Sequence, residues 1–120
     1  MKRFLRTCLD LRRFHGDYLT QVCLGPGDIQ FRFGAGGQIG VEGDWELTAP
    51  DGTVLDRAVS PPAERECYKV HVLLMAVVAG SVVDPPRSFT LLFDNGMRLT
   101  VFDSSEQYES FSIQPGNIFV

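Results

Sequence analysis

Residues 29–41, IQFRFGAGGQIGV, and residues 89–101, FTLLFDNGMRLTV, align without a gap at an offset of 60 in a chain of 120 residues. At that offset Ile29 meets Phe89, Phe31 meets Leu91, Phe33 meets Phe93, Gly36 meets Gly96, Ile39 meets Leu99 and Val41 meets Val101. An internal repeat constrains the fold more than any single motif. Each copy of such a unit has an apolar face it cannot bury alone, and the other copy is the nearest partner. Convergence on a generic hairpin would share this alternation, so the copies must also agree outside it.

The alternation sets the register. Side chains alternate faces along a strand, so opposed residues must share a face. A two-residue Asn95-Gly96 turn would oppose Phe93 to Arg98 and place a charge on the apolar face. A three-residue loop, Asp94-Asn95-Gly96, opposes Phe93 to Met97, Leu91 to Leu99 and Phe89 to Val101, all apolar. Its last residue takes a left-handed conformation, where glycine costs least. The same reading opposes Phe31 to Ile39 and Ile29 to Val41, with Gly36 in the left-handed position. The glycines crowded into residues 31–43 therefore mark a turn. A phosphate-cradling G-x-G-x-x-G needs its third glycine where a strand meets a helix. Ile39 stands there, and a strand-like alternation follows.

The copies agree on both sides of the hairpin, with different spacing. Upstream, a helix is predicted in each. In the second, Ser60 can cap, Pro61 suits the first helical position, and Glu64 and Glu66 favour the N-terminal turn. Cys67, Val70, Leu74, Val77 and Val78 then recur at helical spacing, and Gly80 fits the stop. Valine's strand preference is the competing indication. The first helix runs from about Lys2 to Phe14, with Phe4, Leu5, Cys8 and Leu9 inward and Gly16 closing it. Strands follow at about Tyr18 to Leu24 and Ser81 to Asp84.

Downstream, DWEL (44–47) parallels SFSI (110–113), with Trp45 matching Phe111 and Leu47 matching Ile113. Trp45 is expected in the core. Copy two adds DSSEQYE before this strand, and NIFV after a Pro115-Gly116 turn. Residues 48–60 read as a linker with a turn at Asp51-Gly52. The expected fold is α+β, mostly β, in one domain spanning residues 1–120. Two helix-plus-antiparallel-sheet repeats, about 1–50 and 60–120, form a pseudo-two-fold sandwich or small barrel.

The formal net charge of −4 conceals an asymmetry. Residues 1–13 hold five bases and one acid, whereas residues 14–120 hold six bases and fourteen acids, a balance of −8. An acidic body disfavours nucleic acid and suits a basic protein partner; it also serves solubility. Cys8, Cys23 and Cys67 are odd in number and stand far apart, which fits reduced thiols in a cytoplasm. The N-terminus lacks the apolar run of a signal peptide. The most apolar stretch, VHVLLMAVVAGSVV (70–83), is too short to span a bilayer and reads as buried core. A cytoplasmic protein without a membrane partner is expected, as a monomer or a homodimer joined through a free edge strand such as NIFV.

Little in the chain points to chemistry. His15 precedes Gly16 at a helix end and His71 lies in an apolar stretch; no paired histidine or cysteine spacing supports a metal site. No nucleophile elbow or Walker loop is present. Asp103, Glu106 and Glu109 gather near Tyr108. Ser104 and Gln107 there fit a capping box, and Glu106 suits the positive end of a short helix. The same four residues, Asp103, Glu106, Tyr108 and Glu109, are the candidate partner-binding surface. No catalytic residue, metal or cofactor is expected, and the chain reads as a non-enzyme.

LLFDNGMRLTVFDSSEQYESFSI (91–113) followed by NIFV resembles the C-terminal pattern of small bacterial β-rich domains of unknown function. In these a hairpin leads into an acidic S-x-x-Y-E-S turn and a last hairpin. Similar small domains occur beside bacterial polymorphic toxins, where some are taken to be immunity proteins. The resemblance, over residues 88–120, implies a protein that covers a toxin's active surface, and the acidic body would suit a basic toxin. The other expectation is a small-ligand carrier, with an apolar cavity between the repeats reached by Tyr18, Trp45 or Tyr108.

Overall fold

Both glycine turns form where the alternation places them. In the computed structural model, which describes residues 11–25, 28–58, 69–84, 88–102, 111–114 and 118–119, ten strands follow in chain order. They are β1 (Leu19–Leu24), β2 (Ile29–Phe33), β3 (Gln38–Val41), β4 (Trp45–Thr48), β5 (Val54–Arg57), β6 (Val78–Asp84), β7 (Ser88–Phe93), β8 (Arg98–Phe102), β9 (Phe111–Gln114) and β10 (Ile118–Phe119). In the β2–β3 hairpin Phe31 opposes Ile39 and Ile29 opposes Val41; in β7–β8 Leu91 opposes Leu99 and Phe89 opposes Val101. Phe33 N–H donates to Gly37 O and Phe93 N–H to Met97 O, each at 2.9 Å, which closes the three-residue loops. Gly36 (φ 96°) and Gly96 (φ 85°) take the left-handed positions.

The copies do not each keep their own strands. One sheet has the order β1-β2-β3-β9-β10 and the other β6-β7-β8-β4-β5. β4 leaves the first copy to pair with β8, where Trp45 opposes Val101 and Leu47 opposes Leu99. β9 leaves the second copy to pair with β3, where Phe111 opposes Val41 and Ile113 opposes Ile39. Each sheet thus holds three strands of one copy and two of the other. The two sheets also join directly, through an isolated antiparallel bridge between Tyr18 and Val77. Around it Gly16 N–H donates to Val78 O (2.8 Å) and Met75 N–H to Leu19 O (2.7 Å). Leu19 N–H donates to Ala76 O (3.1 Å) and Val78 N–H to Asp17 O (2.8 Å). Each bond has its reciprocal, so Tyr18 and Val77 are equivalent residues on either side of a pseudo-two-fold axis. Leu19 opposes Phe33 and Val78 opposes Phe93, with a bulge just after each, so the match continues along β1 and β6.

This architecture corrects the α+β expectation: it is a β-sandwich of two antiparallel five-stranded sheets. The helical segments among the described residues are two 3₁₀ turns, Arg12–Phe14 and Val70–Leu73. Of the helix expected from Ser60 to Gly80, the described part is the second turn and the start of β6, in which Val78, Val82 and Val83 lie in extended backbone that suits branched side chains; residues 60–68 lie outside the described residues. Of the helix expected over residues 2–14, residues 12–14 form the first turn and residues 2–10 lie outside the described residues. The 48–60 linker also contains a strand: Gly52 (φ 92°) turns the chain so that β5 pairs back onto β4. β5 stands in the first copy where β10 stands in the second.

The two inner faces fill the space between the sheets. Phe14, Phe31, Phe89, Ile39, Leu91, Leu99 and Ile113 are wholly buried, and the 3₁₀ turns add Leu11, Val70 and Leu73 to the same core. Phe14 packs on Phe33 with centroids 4.9 Å apart, and Trp45 meets Phe31 edge-on at 6.2 Å. Burying a side chain of this size contributes about 2 kcal/mol.

Candidate functional site

The pseudo-symmetry supplies an internal control: what the scaffold needs should recur in both copies. In the segment leading into the seam, Leu11 matches Val70 and Phe14 matches Leu73, and all four are buried. The positions between and after them diverge. Arg12, Arg13, His15, Gly16 and Asp17 in copy one stand opposite His71, Val72, Leu74, Met75 and Ala76 in copy two. Val72, Leu74 and Met75 are exposed, Met75 at 69 %. An apolar side chain at these places is therefore no requirement of the fold.

Met75 is also the one non-glycine described residue in the left-handed region (φ 70°), at the place where copy one has Gly16 (φ 83°). Holding a methionine there costs about 1 kcal/mol relative to glycine. Across the seam stands Tyr18, 41 % exposed. Its ring lies against Gly34, where a Cβ would approach two ring carbons to 2.8 Å. The equivalent pair in copy two is Val77 and Asp94: a smaller side chain leaves room for a larger one. Gly34 N–H donates to Tyr18 O (3.0 Å) and Asp94 N–H to Val77 O (2.8 Å). Both hairpin tips thereby flank the seam. The carboxylate of Asp17 accepts the amides of Tyr18 (2.8 Å) and Ala35 (3.1 Å), and that of Asp94 accepts the amide of Val77 (3.2 Å). Exposed apolar side chains thus stand beside two carboxylates.

The outward sheet faces differ in the same direction. In copy one Arg32 Nη2 donates to Gln30 Oε1 (3.2 Å), and Gln30 Nε2 donates to Asp28 Oδ2 (3.3 Å). At the matching places copy two has Leu92 opposite Gly80, and Thr90 opposite an exposed Val82. There a shallow open groove of about 500 Å3 is lined by Val82, Leu92, Met97 and Arg98. It reaches the 94–97 turn, whose other side meets the seam.

The four residues expected to bind a partner, Asp103, Glu106, Tyr108 and Glu109, lie outside the described residues. Trp45 is in the core, as expected. His15 Nε2 and Ser81 Oγ lie 2.8 Å apart. A hydroxyl beside an imidazole is a pairing that can activate a nucleophile, but such chemistry also needs a group to orient the ring. Asp17, the nearby acid, holds backbone amides instead, and the pair ties the first 3₁₀ turn to β6. Among the described residues no three His, Cys, Asp or Glu side chains gather where they could hold a metal ion. Nor is any helix among them long and apolar enough to cross a membrane.

The 70–83 run was expected to be core throughout. Val70, Leu73 and Val78 are, but Val72, Leu74, Met75 and Val82 face outward. The available signal was the comparison with residues 11–24, which carry Arg13, His15, Gly16 and Cys23 at the same places. Compared with models of protein families, with functionally characterised proteins and with solved structures, the chain finds no match in any of the three.

Proposed function

We propose that this chain is a cytoplasmic protein-binding module that grips a basic partner protein with the apolar surface of its second copy. One observation carries the reading: equivalent positions on one scaffold are polar and apolar in turn, and only the apolar set includes a strained, exposed methionine. Met75 is an adaptable anchor of this surface, and Tyr18 of the first copy adds a high-contact one across the seam. The partner's charge follows from the −8 balance over residues 14–120 and from the carboxylates of Asp17 and Asp94 at the seam. The finer reading, an immunity-type inhibitor of a basic toxin, draws on the resemblance of residues 88–120 and on Asp103, Glu106, Tyr108 and Glu109 in the sequence. For the carrier reading, the inner faces are filled by the phenylalanines, and the groove lies on the outer face.

The test is capture from the source cell at about 50 mM and about 500 mM salt, since screening shortens the reach of surface charge. The intact chain should retain a basic protein at low salt and lose most of it at high salt. Val72→Arg combined with Met75→Gly, which installs the copy-one residues, should abolish capture. Retention of the same protein by both forms would overturn the proposal.

A further inference from the structure

Asp56 is the buried charged side chain among the described residues, 7 % exposed. It breaks the pattern of its strand: in β5 Val54 faces out and Asp56 faces in. Its carboxylate accepts three backbone amides. Oδ2 takes Lys69 N–H (2.6 Å) and Val70 N–H (3.0 Å), and Oδ1 takes Arg57 N–H (2.9 Å). Lys69 and Val70 open the 3₁₀ turn that carries Val72, and Leu74 and Met75 follow directly. At the far end of this loop Met75 N–H is bound to Leu19 O. The loop is therefore held at both ends, with its apolar side chains displayed between. The matching register position in the other sheet, opposite Ile113, is Ile118, so the first copy carries a carboxylate that the second lacks, and it holds the loop of copy two.

We infer that Asp56 is the positioning residue of the recognition loop, holding residues 69–76 in the shape the partner meets; this rests on the proposed function above. A buried carboxylate that accepts several amides is costly to leave unsatisfied, so its bonds are firm. A loop ordered before binding loses less conformational freedom when the partner arrives. Strain at Met75 is tolerated because both ends of the loop are held.

Amide hydrogen exchange on the full chain tests the positioning by itself, without a partner. With Asp56→Asn, which keeps the shape and loses one acceptor, protection over residues 69–76 should fall about tenfold or more, against about threefold or less in β2–β3 and β7–β8. Capture of the basic protein should weaken although Val72 and Met75 are unchanged. Uniform loss of protection, no loss at 69–76, or a variant that no longer folds would each overturn the inference. In the last case Asp56 holds the whole fold and not the loop. Failure of the intact chain to capture a partner, with the exchange pattern as expected, would sink the proposed function alone.

Discussion

The two segments that enter the seam, residues 11–19 and 70–78, occupy equivalent places and present opposite surfaces. The first shows arginines, a histidine bonded to Ser81 and a relaxed glycine; the second shows valine, leucine and a methionine held at positive φ. Both bury the same two anchors, Leu11 and Phe14 or Val70 and Leu73. A duplicated scaffold thus separates what folding requires from what it merely permits. Requirement shows as agreement between copies, and departures from agreement point toward binding.

The largest expected effect concerns how the copies are joined. Because β4 and β9 sit in each other's sheets, a protease site engineered into residues 59–68 should leave two fragments that co-elute as one folded species. Copies that keep their own strands would separate after cleavage, and the symmetry argument would fall with them.

A smaller effect sharpens the seam itself. Gly34→Ala drives a Cβ into the Tyr18 ring and should destabilise the fold by about 1–3 kcal/mol. Adding Tyr18→Val, the arrangement of the other copy, should recover at least about 0.5 kcal/mol of that loss in chemical denaturation. Simple additivity of the two changes would show that Tyr18 and Gly34 are not a matched pair.

Much of this was legible in the sequence. The hairpin registers and the left-handed glycines followed from alternation, since the two-residue turn put Arg98 on the apolar face. The strand exchange did not follow. Trp45 and Leu47 match Phe111 and Ile113 in face and approximate size, so alternation serves equally well beside either β3 or β8. β5 was hidden because a bulge at Leu55 breaks its alternation, so that Val54 faces outward and Asp56, two residues on, faces inward to its amide bonds. The 67–80 stretch carried a helical spacing of apolar residues by coincidence, while its outward residues answer to something other than the core. For the surface, the first copy was the needed reference.

The smallest effect lies at the β4–β5 turn. The Thr53 amide, donating to Asp51 Oδ1 at 2.9 Å, holds the Asp51 carboxyl below its ordinary value. A depressed carboxyl stabilises above its unfolded pKa of about 3.9, and that contribution is lost as pH falls through the folded value. Acid titration followed by NMR should loosen residues 49–53 first. The corresponding sequence of the second copy, Pro115-Gly116-Asn117, contains no carboxylate, so no such step is expected from it.

Thermal unfolding of the chain bearing both Val72→Arg and Met75→Gly tests most directly whether the apolar surface is dispensable to the fold. Relief at position 75 is worth about 1 kcal/mol, which for a chain of this size raises the midpoint by about 3–6 °C, less whatever the exposed Val72 contributed. A midpoint equal to or above that of the natural sequence is the predicted result. A fall of about 10 °C or more would mean that these side chains hold the scaffold together, and that their divergence from the first copy says nothing about a partner.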